Sequence, residues 1–233
     1  HFDHCGAAAT LQKRFPGLKI AASRRAAEIV QRPGALKLIE SLNDAAGKTV
    51  QPWYPELVLT EEFKPFTVDR ILEDGDRLEL GPELHLEVLA TPGHTWDFLS
   101  YYIPERKILI ASEAVGCADV TGYVVTEFLV DFEAYLGSLQ RLAALEVNIL
   151  CQGHNLVYTG TEVKEYFQRS LRAALDFREG VCEKLRREKG NIDRVVQLVK
   201  AEEYDPRPQP KQPEPAYLIN LETRVKHLAG TLK

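Results

Sequence analysis

Apolar residues along this chain follow two periods. A spacing of three to four marks helices, and alternation or a short unbroken run marks strands. Residues 6–15 (GAAATLQKRF) favour a helix through Ala and Leu, and Pro16-Gly17 ends it. LKIAAS is a short apolar strand, after which Ser23 caps a helix over SRRAAEIVQ. Pro33-Gly34 is expected to break the chain. ALKLIESLNDAAG follows as an amphipathic helix, with apolar residues at Leu36, Leu38, Ile39 and Leu42.

Strand patterns dominate from residue 67. DRILEDGDRLEL turns at an Asp-Gly pair, LHLEVLA alternates, and FLSYYI–PERK–KILIA reads as a β-hairpin. Asp131 caps a helix over 131–145, and VNILC is a buried strand. Beyond Tyr158 the pattern turns helical. TGTE at 159–162 fits a capping box for a helix running to about Arg187, with Val163, Phe167, Leu171, Leu175 and Cys182 along one face. Gly190 stops that helix, Asn191 caps another through about Glu203, and AYLINLETRVKHLAG forms the last. Between these two lies a strap with five prolines over 204–215.

The expected organisation is therefore an α/β part over residues 1–160 and a helical appendage over 161–233. An insertion at about 33–66 ends in a stretch, 50–66, with three prolines and the aromatics Trp53, Tyr54, Phe63 and Phe66. Such a stretch forms a lid or pocket wall, or packs the insertion on the core.

Composition narrows the partners. The net charge of −5 argues against nucleic acid or an anionic membrane surface as the main partner. No apolar run approaches the length that crosses a membrane. The four cysteines, Cys5, Cys117, Cys151 and Cys182, are scattered and include no CxxC, which points to free thiols in a reducing, cytoplasmic compartment.

The histidines carry the chemistry. His1 and His4 stand in HFDHCG, His94 in TPGHT and His154 in QGHN, each flanked by Gly or Asp. The predicted hairpin starts just after His94 and ends just before Glu113, so antiparallel pairing brings these two together. His154 likewise follows the end of a buried strand. Imidazoles with carboxylates suit zinc, manganese or iron. Four histidines with Asp3 and Glu113 are too many donors for one tetrahedral ion with an open position, and fit two ions sharing a water. His85, His227 and Cys5 have plainer expectations: His85 and His227 at the surface, and Cys5 as a small packing residue.

HFDHCGA, TPGHT, ASEAVG and QGHN, in this order and at these distances, resemble the metallo-β-lactamase fold superfamily. The resemblance covers roughly residues 1–160. It implies a four-layer αβ/βα sandwich, and that His1 and His94 ligate a first metal while Asp3, His4 and His154 ligate a second. The family's leading motif is HxHxDH, so a further histidine is expected two residues before His1, with N-terminal strands ahead of it. Glu113 stands where the family usually has a bridging aspartate, and its extra methylene carries the carboxylate farther from the backbone.

The implied activity is metal-dependent hydrolysis by a metal-activated water. Asp3 is both ligand and proton acceptor, and two divalent ions serve as cofactors, zinc first, with iron or manganese as alternatives. A small ester, thioester or lactone is the favoured substrate class, and a homodimer is one possible assembly. The alternative is an iron-dependent oxidoreductase acting on persulfides or oxygen on the same fold. Nucleic-acid processing and a binding protein without turnover are further readings, the first disfavoured by the acidic charge balance.

Overall fold

The computed structural model describes residues 1–52, 62–154, 156–208 and 211–232. They form two compact units, His1–Glu73 and Asp74–Lys233.

The first unit opens with a single helical turn, α1 (Phe2–Cys5), followed by α2 (Ala8–Arg14), strand β1 (Ala21–Ser23), α3 (Arg24–Ile29) and α4 (Pro33–Val50). Strand β2 (Arg70–Leu72) returns to lie parallel to β1, in the register Ala22↔Ile71. Asp69 fixes this junction, because its carboxylate accepts from the Ile20 backbone N–H at 2.8 Å and from Gln12 Nε2 at 3.2 Å. Ser23 caps α3 as expected, its hydroxyl accepting from Ala26 N at 3.1 Å. Pro33-Gly34 corrects the sequence reading. The pair opens α4 rather than breaking the chain, since proline at the first helical position gives up only an N–H that has no helical partner. Trp53 and Tyr54 of the aromatic stretch lie outside the described residues, while Phe66 is buried.

The second unit is built on one six-stranded sheet. Its strands are β3 (Arg77–Gly81), β4 (Leu84–Ala90), β5 (Leu99–Ile103), β6 (Ile108–Ser112), β9 (Ile149–Gln152) and β10 (Val157–Thr159), in the spatial order β10-β9-β6-β5-β4-β3. A short pair, β7 (Cys117–Ala118) and β8 (Val124–Val125), stands apart from it. The predicted hairpin is β5–β6, with Tyr101 opposite Ile110 and Lys107 in the left-handed region at the turn. All sheet neighbours are antiparallel except β6 and β9, which run parallel. A parallel pair needs a crossover, and α5 (Phe132–Ala143) lies within it. That topology ends β6 and β9 at the same edge of the sheet, with Ser112 opposite Gln152.

Three long helices follow: α6 (Thr161–Arg187), α7 (Ile192–Glu203) and α8 (Glu214–Thr231). They share one hydrophobic core with the sheet, in which Leu109 and Leu150 of the strands join Leu139 of α5, Val181 of α6, Val195 of α7 and Leu221 of α8. Each fully buried leucine contributes roughly 1.5–3 kcal/mol. Asn191 caps α7, accepting from Arg194 N at 3.0 Å. The expected capping box at α6 is absent. Thr159 is spent as the last residue of β10, and Gly160, at φ 57°, takes the N-cap position without a side-chain bond. Leu175, expected on the packed face of α6, is 40% exposed, and Tyr166 and Ala174 line that face instead.

Asp131 caps α5 by accepting from Ala134 N at 2.7 Å. Asp131→Ala is expected to cost about 1 kcal/mol, a melting point roughly 2–4 °C lower in a thermal unfolding scan. Among the described residues, no helix is long and apolar enough to cross a membrane.

Candidate metal centre

In the first unit, HFDHC is wound into the α1 turn rather than left as a loop, with His4 N donating to His1 O at 3.2 Å. Asp3 and His4 are neighbours on this turn, His4 Nε2 lying 3.8 Å from Asp3 Oδ2, and each keeps about a third of its side chain exposed, at 35% and 36%. The next residue, Cys5, is half-buried, and burial pushes its thiol up.

In the second unit, the candidate residues stand just beyond strand ends. His94 lies between β4 and β5, Glu113 directly follows β6, and His154 lies two residues past β9. The pairing of Ser112 with Gln152 sets Glu113 and His154 side by side. Glu113 Oε1 is 2.9 Å from His154 Nε2, and Glu113 is 4% exposed. Ser112 presents the carboxylate. It sits at φ 48°, uncommon for a residue other than glycine, and its hydroxyl donates to Glu113 Oε2 at 2.6 Å. Gly153 provides the room, because a Cβ there would stand 2.5 Å from Glu113 Oε1.

His94 is buried, 2% exposed, and packs edge-on against Phe98. Its Nδ1 makes a short hydrogen bond to the Glu127 carbonyl. A carbonyl only accepts, so the proton belongs on Nδ1 and the lone pair on Nε2. That is the tautomer and the backing bond typical of a metal-ligating imidazole. A buried carboxylate beside an imidazole nitrogen suits a divalent ion such as zinc, and so does an imidazole fixed in its donor tautomer.

Several neighbours gave no sequence signal of their role. The Glu127 carboxyl is pushed up to about 7 by burial, which Arg224 opposes and Glu113 reinforces. Burial drives the Cys117 thiol well up, aided by Glu127 and Glu113, so it stays protonated rather than acting as a thiolate. His85 is not the solvent-facing residue expected. Only 19% of its side chain is exposed, and its ring nitrogens lie against the carboxylates of Glu105 and, at 3.3 Å, Glu87. His227 is also displaced from its expected surface position. Its Nε2 accepts from the Phe132 backbone N–H at 3.0 Å, at the first turn of α5, and its ring packs edge-on against Phe128. Arg224 beside it is 1% exposed.

Comparison with known proteins places these features in a family. The sequence is similar to the hydroxyacylglutathione hydrolase of Brucella anthropi, with 35% identity over 119 residues, covering 49% of this chain and 39% of that enzyme. It is also similar to the enzyme of the same name from Bartonella tribocorum, 33% identical over 98 residues, covering 40% of this chain and 36% of that protein. The matched stretch thus spans well under half of either relative. Among solved structures, a metallo-beta-lactamase family protein from Thermus thermophilus superposes with a TM-score of 0.60 at 19% identity, covering 97% of this chain and 69% of that one. An archaeal superfamily protein from Sulfolobus tokodaii gives 0.56 at 16% identity, covering 97% and 75%. Both agree with the α/β architecture and its helical C-terminal region. The family model of the metallo-beta-lactamase superfamily matches residues 1–154, and the chain belongs to that superfamily.

Proposed function

We propose that the protein is a metal-dependent hydrolase of a small thioester, with esters and lactones as the wider substrate class. The observation that carries this is the donor set at the strand ends, where the buried Glu113 carboxylate meets His154 and His94 is held with its lone pair on Nε2. The thioester preference is supported by the similarity to hydroxyacylglutathione hydrolases.

On this reading, His94, Glu113 and His154 serve as divalent-metal ligands in the second unit, and His1, Asp3 and His4 as ligands on the α1 turn of the first. Such ions, when bound, lower the pKa of water and polarise a carbonyl oxygen. The protein's own groups do the rest. Asp3 accepts the proton lost by the attacking water. The Glu127 carbonyl fixes the ring plane of His94, and Ser112 fixes the direction of the Glu113 carboxylate. The acidic charge balance and the apolar, aromatic stretch at 50–66 suit a small acyl-bearing substrate rather than a polyanion.

The test is hydrolysis of a hydroxyacylglutathione thioester by the purified full-length protein, before and after chelation. The expected result is turnover that chelation abolishes and added zinc restores. A metal-replete protein inert towards thioesters, esters and lactones would exclude the proposed activity.

A further inference from the structure

The C-terminal helix lies far in sequence from the four motifs, yet it reaches the segment that orients His94. We propose that Arg224 and His227 of α8 are positioning residues for His94, acting through the loop 126–131. The proposal rests on the reading of His94 as a metal ligand.

The loop connects β8 to α5 and carries the Glu127 carbonyl that receives the His94 Nδ1 proton. It is already bound to the histidine's own turn, because Gly93 O accepts from Leu129 N and Val130 N, each at 3.1 Å. Its two ends are then gripped by one helix. Arg224 Nη1 donates to Thr126 O at 2.8 Å, one residue before Glu127. Phe132 N, the residue after the loop, donates to His227 Nε2 at 3.0 Å. Residues three apart share a helix face, so Arg224 and His227 act as a two-point clamp.

The clamp is itself rigid. Arg224 Nη2 lies 3.0 Å from Glu203 Oε2, and Glu203 also accepts from Tyr217 at 2.6 Å and Tyr123 at 3.1 Å. The His227 bond fills a specific need. Asp131 satisfies Ala134 N, and His227 supplies the acceptor for the first backbone N–H of α5. Phe128, inside the loop, is walled by Phe132, Phe177 and His227 with centroids 5.1–5.9 Å away. A carbonyl held this way cannot turn without moving α8, so the plane of the His94 ring is set by the C-terminal helix. Removing such an outer partner typically weakens metal affinity about 10–100-fold.

The experiment is cobalt(II) titration of the metal-free full-length protein, followed by the visible bands of the bound ion, with melting points recorded alongside. His227→Leu, which deletes the acceptor, is expected to weaken cobalt binding about 10-fold or more and to alter the visible bands. His227→Gln, whose amide oxygen can accept the same N–H, restores most of the affinity. Arg224→Lys keeps the charge beside Glu203 but loses the fork that also reaches Thr126, and gives an independent loss in the same direction. Cobalt affinity within about twofold of wild type in the folded His227→Leu and Arg224→Lys variants overturns the clamp, whatever their melting points. His94→Ala separates the two claims. If it leaves cobalt binding unchanged, or if the wild type binds none, the reading of His94 as a ligand falls and the clamp falls with it.

Discussion

Gly153→Ala is expected to weaken divalent-metal binding at least ~10-fold and to lower hydrolysis in step. The new Cβ would lie 2.5 Å from Glu113 Oε1, 2.8 Å from its carboxyl carbon and 3.1 Å from Ser112 Oγ. The first two are distances that a Cβ essentially never shows and the third is tight, so something must move. The carboxylate has little freedom, since Glu113 is 4% exposed and its other oxygen is bound by Ser112 at 2.6 Å. Ser112 in turn is held at φ 48° as the last residue of β6, where it caps the turn that carries Glu113. The missing side chain at position 153 therefore matches the long one at position 113. Where the resemblance leads one to expect aspartate, glutamate extends the carboxylate by one carbon–carbon bond, about 1.5 Å, and glycine leaves the space for it. The double variant Gly153→Ala with Glu113→Asp should then bind metal more tightly than Gly153→Ala alone, which a double-mutant cycle measures directly. A single variant with wild-type affinity, or a double variant no better than the single, would contradict this pairing.

Gly93→Ala is expected to lower stability by about 3 kcal/mol or more, a fall in melting point of roughly 6–12 °C. Two causes act together. Gly93 has φ 127°, a conformation that residues with a Cβ rarely adopt. A Cβ there would also overlap the backbone N and Cα of Tyr135, in the first turns of α5. Backbone in a buried helix cannot swing aside as a flexible side chain does, and Tyr135 is fully buried. The same glycine anchors the loop 126–131 through its carbonyl, so the variant should loosen His94 as well. Urea unfolding of the two proteins settles the matter, and a loss below about 1 kcal/mol would contradict the packing argument.

How far the sequence disclosed this molecule depended on how local each signal is. The hairpin β5–β6 and the caps at Ser23, Asp131 and Asn191 are written within a few residues, and all four are found where the sequence places them. His94, Glu113 and His154 were legible for a related reason. Each lies within a few residues of a strand whose period can be read, and sheet topology then brings Glu113 and His154 together. What failed was the reading of residues whose role depends on a distant partner. Thr159 and Glu162 have capping-box spacing, but the β9–β10 register claims Thr159 for the sheet. Pro33 looked like a breaker because a proline that ends one helix and one that begins another read alike locally. His227 sits among charged neighbours and was expected at the surface, yet its ring nitrogen and the Arg224 guanidinium are both used on a loop about ninety-five residues earlier. The Glu127 carbonyl was beyond reach, because a backbone atom carries no residue type.

The central claim is that His94, Glu113 and His154 of the sheet-bearing unit are ligands for divalent ions, and that His1, Asp3 and His4 of the α1 turn are ligands as well. Its most direct test is the metal content of the purified full-length protein, expressed as ions per chain by elemental analysis. The account predicts two divalent ions per chain, with the ratio falling in the Glu113→Ala and His154→Ala variants. No bound ion after reconstitution with zinc, iron or manganese, or a ratio unchanged in those variants, would contradict it.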